Sequence, residues 1–563
     1  MKTKYFLLAI LLFALHGSAF SYNGTQEIDD ICYNLITKSK KATVTSNKNK
    51  YYEGDVVIPS TVTYEGTVCN VVGIEDRAFN NCKDLSSVTI PASVLTIGSY
   101  AFYGCKSLMR VTFEGDGLTS MGELAFCGCG SITNLSLPNT LANIPEGAFL
   151  QCVSLKNINF PNSLVTIGER AFQECASLTS VVIPETVTAL GEAVFSGCTN
   201  LTSFRLPKNI KEIPEGAFSE CVALNHVVIP EGVEIIGEDA FESCAGITEL
   251  YLPSSLTEID GSFSGLESLQ LIDIADLKSW SQLFFSDYTF NPISWARKAS
   301  VNGEKIEKIV IPDGVTEINE SSFTLCKDVT SITIPNSVTK IRSSAFYYCP
   351  KLTTVTIGKG IKKINGNAFG RCGGITDVFC YAEKIPEADY AFKDSYIEEA
   401  VLHVPSSAVN AYKNDYYWGK FGTIIPITDS DPKANLPICA KPLISYRNGE
   451  IVFSCDTPGV TFQSMILDSD IGNHFGDEIN ISGSYVVKVM ATREGYASSD
   501  VSIAEINWFE TGSGQDTEIE VIDLKNAKTI DAGSSAIYNL AGQKVSAGYK
   551  GVVIINGKKI LVK

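Results

Sequence analysis

A spacing of about 23 residues governs this chain. A phenylalanine, usually preceded by alanine, recurs as Phe79, Phe102, Phe126, Phe149, Phe172, Phe195, Phe218, Phe241 and Phe263, then as Phe323, Phe346, Phe369 and Phe392. The steps are 22 to 24 residues, apart from one of 60. Three residues after most of them comes a cysteine: Cys82, Cys105, Cys129, Cys152, Cys175, Cys198, Cys221, Cys244, Cys326, Cys349 and Cys372. A fixed period of this length leaves little choice but a solenoid of stacked coils.

One coil shows why. In Leu178-x-x-Val181-x-Ile183-Pro184 the apolar residues alternate with a variable one, so they face one side of a short strand. Pro184 closes that strand because it has no N–H for the ladder. Val187 and Leu190 are expected to point back inward before Glu192-Ala193-Val194-Phe195 turns the corner. A single coil cannot bury its apolar side, whereas a stack can, since each coil covers the next.

The units I-x-x-x-A-F-x-x-C-x-x-L-x-x-V-x-I-P, from about Ile74 to Ala382, resemble the leucine-rich repeat class in its BspA-like bacterial variety. The resemblance implies an exported, surface-exposed binding protein, often one concerned with adhesion or host-protein contact. It names no ligand. The expected fold is therefore mainly β: a leucine-rich repeat solenoid with caps, a small β-sandwich and a β-rich tail.

The order along the chain is expected as follows. Residues 1–19 read as a signal peptide: Lys2 and Lys4 precede an apolar run from Phe6 to Leu15 and small residues at Gly17-Ser18-Ala19. That run is too short for a stable membrane helix, and no later stretch suits one. Residues 20–70 form an N-terminal β cap, with Asp55-Val56-Val57-Ile58-Pro59 already strand-like. The solenoid occupies 71–382, interrupted by an aromatic-rich insertion at 275–300. Residues 383–430 close the stack with Tyr412, Trp418 and Phe421. Residues 431–510 alternate like a small immunoglobulin-like β-sandwich. The strand Tyr485 to Met490, followed by Glu494-Gly495-Tyr496, resembles the C-terminal domain of chitobiase-type proteins. Residues 511–563 make a linker and a tail whose Tyr538-Asn539-Leu540-Ala541-Gly542-Gln543-Lys544 and Asn556-Gly557-Lys558-Lys559 resemble C-terminal sorting domains of the type IX secretion route. That resemblance implies passage across an outer membrane; a plain β-hairpin addition is the simpler reading.

Composition removes several functions. A net charge of -18 is wrong for nucleic acid, which is held by clustered Lys and Arg, and for charge-driven binding to an anionic membrane. The 17 cysteines cannot all pair, and the repeated ones read as a buried ladder of thiols whose side chains point the same way. Cys439 with Cys455, and less so Cys32 with Cys69, are the candidates for disulfides. After the signal the only histidines are His226, His403 and His474, far apart in sequence, and no metalloprotease, redox or serine-hydrolase motif accompanies them. No catalytic site and no cofactor are expected.

Two surfaces remain as candidates. On the strand face the residue between the two inward ones varies, as Val182, Arg205, Val228 and Tyr251, beside Ser180, Ser203, His226 and Glu249. Repeat arrays recognise partners on such a face, although variation also suits a tolerant solvated one. Arg205, His226, Val228, Glu249 and Tyr251 are thus the expected contacts for an extracellular protein or glycoprotein. In the insertion, Trp280 and Trp295 would serve a glycan if exposed; packed under a longer coil they would be core. A third pattern is a column of acids three residues before the phenylalanine: Glu123, Glu146, Glu169, Glu192, Glu215, Glu238 and Asp260. Each either opens a helical turn and accepts from its N–H groups, or the column holds divalent cations.

Overall fold

The computed structural model describes residues 24–285, 290–434, 439–447, 450–468, 482–493, 496, 499, 501–510, 517–522, 538–539, 551–555 and 558–562. The expected signal peptide, the linker 511–516 and His474 lie outside the described residues, as does most of the expected sorting motif. The chain divides into two compact units, residues 1–177 and 178–563. Strand dominates both, and no helix is long and apolar enough to cross a membrane among the described residues.

The first unit begins with an antiparallel meander, Thr25–Ile28, Ile31–Ile36 and Lys41–Val44, to which Thr67–Ile74 adds in parallel. From there the chain coils. Gly54–Val57, Leu85–Pro91 and Arg110–Glu114 stack in parallel, one rung each. Val88 and Ile90 point inward and are buried, and Pro91 ends its strand as the missing N–H requires.

A second ladder has no counterpart in the sequence pattern. Opposite the main strands, two-residue strands also stack: Thr67–Ile74 pairs with Thr96–Ile97, and that with Ser120–Met121. Each rung is therefore a flattened loop with hydrogen-bonded ladders on both sides.

The second unit continues this scheme by itself. Ser180–Val182 pairs in parallel with Ser203–Arg205, and His226–Val228 with Glu249–Leu252, Leu271–Ile274 and Lys298–Val301 in turn. A further set runs from Lys308–Val310 to Thr423–Pro426. Val187 is buried as expected, whereas Leu190 is only half-buried. Beyond the coils, Thr461–Asp468, Ser482–Thr492 and Ser502–Glu510 form an antiparallel sheet.

The phenylalanines are the spine. Their rings stack nearly parallel: Phe79 on Phe102 and Phe102 on Phe126 at 4.8 Å between centroids, Phe218 on Phe241 at 5.4 Å, Phe346 on Phe369 at 5.2 Å. Tyr52 closes the first stack at 4.6 Å, and Trp418 and Phe421 close the last one edge-on to Phe392. A ring at one position per rung buries a large apolar area, and near-parallel neighbours pack without a gap.

The corner around each phenylalanine is not a helical turn. The residues two before and two after it take the left-handed conformation: Arg170 and Glu174 around Phe172, Ala193 and Gly197 around Phe195, Gly216 and Glu220 around Phe218. That geometry points alternate N–H groups at the next coil. Ala193, Phe195 and Gly197 donate to the carbonyls of Glu215, Ala217 and Ser219 at 2.8, 2.9 and 2.8 Å. The corner thus forms a third ladder, and its peptide groups are satisfied without a strand.

All 17 cysteines carry thiols rather than disulfides, so neither Cys439 with Cys455 nor Cys32 with Cys69 forms the expected bridge. The repeated ones sit inside the corner. Cys105 donates from Sγ to the Phe79 carbonyl at 3.0 Å, Cys129 to Phe102 at 3.1 Å, and Cys244 to Phe218 at 3.1 Å. Each such carbonyl also accepts the N–H three residues on, as Phe218 does from Cys221 at 3.1 Å. Both of its lone pairs are then used.

Candidate functional site

The strand face of the second unit is built by register. Ser180 lies opposite Ser203 and Val182 opposite Arg205; His226 lies opposite Glu249 and Val228 opposite Tyr251. Because the ladder is parallel and in phase, equivalent positions of successive rungs form rows. The sequence-derived candidates on this face therefore do come together.

Their side chains interact. His226 Nδ1 is 2.9 Å from Glu249 Oε2, and the same oxygen accepts from the Tyr251 hydroxyl at 3.1 Å. The imidazole and phenol rings lie 5.0 Å apart. Burial, followed by the Glu249 carboxylate, pushes the Tyr251 phenol up from its ordinary value, so it donates and does not ionise. Arg205 reaches Glu185 at 3.4 Å, an exposed pair worth little in itself.

The face is not evenly open. Val228 is half-buried, Tyr251 is 8% exposed, and the next two residues in that column, Asp273 and Ser300, are 1% and 2% exposed. Tyr251 was expected to contact a partner directly; its burial and its bond to Glu249 give it a supporting place instead. The accessible patch is Arg205, His226 and Glu249, flanked by Ser180 and Ser203.

Where the column closes, charge is buried. Asp273 accepts from Ser300 Oγ at 2.5 Å and from the Gly303 N–H at 2.8 Å. Asp276 caps the short helix Leu277–Gln282, accepting from the Ser279 N–H at 2.8 Å. Desolvation pushes both carboxyls above the usual range. Lys488, on the strand Ser482–Thr492 and 4% exposed, lies 4.0 Å from Glu231 beside them. A cavity of about 520 Å³ opens alongside, between Asp276, Lys305 and Pro312 on the coils and Gln463 and Met490 on the sheet. Sequence reasoning missed this cluster; its one visible sign is an aspartate at the outward position held by Tyr251 one rung earlier.

The insertion supplies core, not surface. Trp280 is 3% exposed and donates from Nε1 to the Ser322 carbonyl at 2.6 Å, while Asn291 donates to Ser321 and Ser322 at 2.7 and 3.1 Å. The longer coil uses both side chains to serve carbonyls that a normal coil would reach with backbone. Trp280 is thus withdrawn as a sugar platform, and Trp295 is half-buried.

The acidic residues before each phenylalanine do not cap helices, because the corner is left-handed turn. Their carbonyls instead serve the corner ladder, as Glu146 does for Leu124 at 2.9 Å and Glu238 for Gly216 at 2.9 Å. Among the described residues, no group of three or more His, Cys, Asp or Glu converges as a metal site would need. His403, stacked on Phe379 at 4.1 Å, lies 3.0 Å from Asp377.

Comparison with known proteins agrees with the architecture. The profile described as the BspA type leucine rich repeat region (6 copies) matches residues 72–202, 165–292 and 296–417. Among solved structures, a leucine-rich repeat protein from Bacteroides ovatus is 24% identical at a TM-score of 0.44, covering 71% of this chain and 99% of its own. A leucine rich cell surface protein from Faecalibacterium prausnitzii is 24% identical at 0.30, covering 72% and 96%. A leucine-rich repeat protein from T. pallidum is 30% identical at 0.28, covering 42% and 86%. No curated protein matches. The profile match, and not these scores, carries the assignment.

Proposed function

The chain belongs to the BspA type leucine rich repeat family, and from that premise we propose that it is an exported, non-catalytic binding protein of the cell surface that holds an extracellular protein on its strand face. The observation that carries this reading is the register of Ser203–Arg205 and His226–Val228 with their neighbours, which sets variable side chains, most of them polar, in rows. A rigid face of this kind offers many modest contacts, with Arg205 and the His226–Glu249 pair as its most distinctive groups. Arginine is a frequent centre of interface energy, and a pre-formed face avoids the ordering cost of loops. Export is read from Lys2, Lys4 and the apolar run that follows.

The test is a plate carrying extracellular-matrix proteins, mucins and polysaccharides, probed with the chain from residue 20 onward. Saturable binding to a protein is expected. Arg205→Ala together with His226→Ala should weaken it about tenfold, which corresponds to ~1.4 kcal/mol. Binding to polysaccharide alone, or protein binding indifferent to both changes, overturns the reading.

A further inference from the structure

The closing end of the second unit carries a separate cleft. It encloses about 350 Å³ between the turn Ala388–Glu398 and the segment Tyr417–Phe421. That is the lower end of the roughly 300–1,000 Å³ typical of small-molecule sites. The floor is buried and rigid: Phe392, Ile397, Trp418 and Phe421 are each under 9% exposed, and Trp418 donates from Nε1 to the Pro386 carbonyl at 3.0 Å. Ser395 pins the turn from below, donating to the Phe369 carbonyl at 2.6 Å.

The walls differ from the floor. Tyr390 and Tyr396 are 61% and 67% exposed, and Tyr416 just outside is 71% exposed. They are not loose. Tyr390 and Tyr396 leave the backbone in the left-handed conformation. The Tyr396 ring lies close to Gly373, where a Cβ would stand 3.3 and 3.4 Å from two of its carbons, so a larger residue there would crowd it. Tyr390 meets Tyr417 edge-on at 5.5 Å, and Lys420 sits 4.8 Å from the Tyr416 ring. Exposed tyrosine rings grouped beside a pre-formed cleft are the kind of apolar patch that marks a ligand site.

The charges at the mouth select among ligands. Lys393 and Lys420 oppose Asp394 and Glu398, two of each sign, so the lining is neutral overall while rich in donors and acceptors. An anionic ligand would face the two carboxylates, and a cationic one would compete with Lys420 for the aromatic faces. A neutral polyol meets neither obstacle. Its C–H face packs on a tyrosine ring, and its hydroxyls both donate to carboxylate and accept from ammonium. We infer that this cleft is a binding site for one or two rings of a neutral saccharide, with Tyr396 and Tyr390 as its stacking platforms. The site is separate from the strand face, so the two stand or fall independently.

The experiment is calorimetric titration of the full chain with maltotriose, cellotriose and a galactose disaccharide as neutral probes. A sialylated trisaccharide, a sulfated disaccharide and a proline-rich peptide serve as contrasts. At least one neutral saccharide is expected to bind. Tyr396→Ala should weaken it tenfold or more and Tyr390→Ala several-fold, at unchanged melting temperature, while Arg205→Ala leaves it untouched. Should Tyr396→Ala disturb the fold, Tyr390→Ala alone decides. Binding of the charged glycans or the peptide in place of the neutral probes overturns the inference, as does failure of every neutral probe or indifference to both tyrosine changes.

Discussion

At the scale of single residues, the thiol column shows how much a repeat position can ask of one side chain. Read from sequence, these cysteines are small apolar residues in a row, and that much holds: Cys152, Cys175 and Cys221 are fully buried. What cysteine offers over alanine is a second bond to the phenylalanine carbonyl of the previous coil, beside the backbone N–H which that carbonyl already accepts. The final rung makes the point, since Ser395 takes the cysteine position and donates to Phe369. Cys152 donates to the Phe126 carbonyl at 3.3 Å. That carbonyl keeps the Cys129 N–H at 3.2 Å, so replacing Cys152 by Ala removes only its second bond and should cost about 0.5–1.5 kcal/mol, and Cys152→Ser should cost less. Chemical denaturation checks both. Burial also raises the thiols, Cys127 to about 11 and Cys244 to about 12, which keeps them protonated and unreactive until the protein opens. Asp273 poses the opposite case, a carboxylate held where its charge is disfavoured. Its folded value is raised, so its contribution is fully present below the unfolded value near 3.8 and is lost as pH rises through the folded one. Asp273→Asn keeps an oxygen for Ser300 and Gly303. The variant should match the parent in melting temperature near pH 3 and exceed it at pH 7; a gap that is flat or reversed in sign would refute the assignment.

At the scale of the element, the strand of each coil was legible and the rest was not. Val181 and Ile183 alternate with a position that varies from rung to rung, so strand and inward face follow from period two alone. The opposite strands, such as Glu212–Ile213, are two residues long and cannot display a period. The left-handed corner was hidden for another reason. Its positions hold Arg170, Glu174, Ala193 and Tyr390 as readily as glycine, because the ladder to the next coil outweighs a local cost of ~1 kcal/mol or more. Of the face residues, the rows were readable from the repeat phase, whereas the burial of Tyr251 and Trp280 depends on what lies beyond their own coil. Elsewhere glycine is required outright. A Cβ on Gly246 would stand 2.2 Å from the Val222 carbonyl and 2.8 Å from that of Leu224. Those atoms are backbone in the neighbouring coil and cannot step aside. Gly246→Ala should lower stability by at least ~2 kcal/mol, a loss that thermal melting would register directly.

At the scale of the molecule, the repeat makes length almost negotiable while phase is not. Within the second unit each coil touches chiefly its two neighbours, through three ladders and one ring contact, so stability is close to a sum over coils and interfaces. Removing residues 202–224 joins Leu201 to Asn225 and recreates the strand that Leu224 normally opens. The phenylalanine, thiol and corner columns all close up in register. Removing residues 202–213 deletes half a coil, sets Pro214 where a strand should begin, and puts every later inward residue out of step. The first variant should melt cooperatively at a somewhat lower temperature with its far-ultraviolet spectrum retained; the second should not fold. The same excision brings His226 opposite Ser180 in place of its former neighbour and deletes Arg205 altogether. Protein binding should then fall about tenfold or more in a chain that is still folded, while the saccharide cleft at Tyr396 keeps its affinity. Loss of both together would mean that the coils are coupled far more widely than nearest neighbours, and the additive picture of the solenoid would have to go.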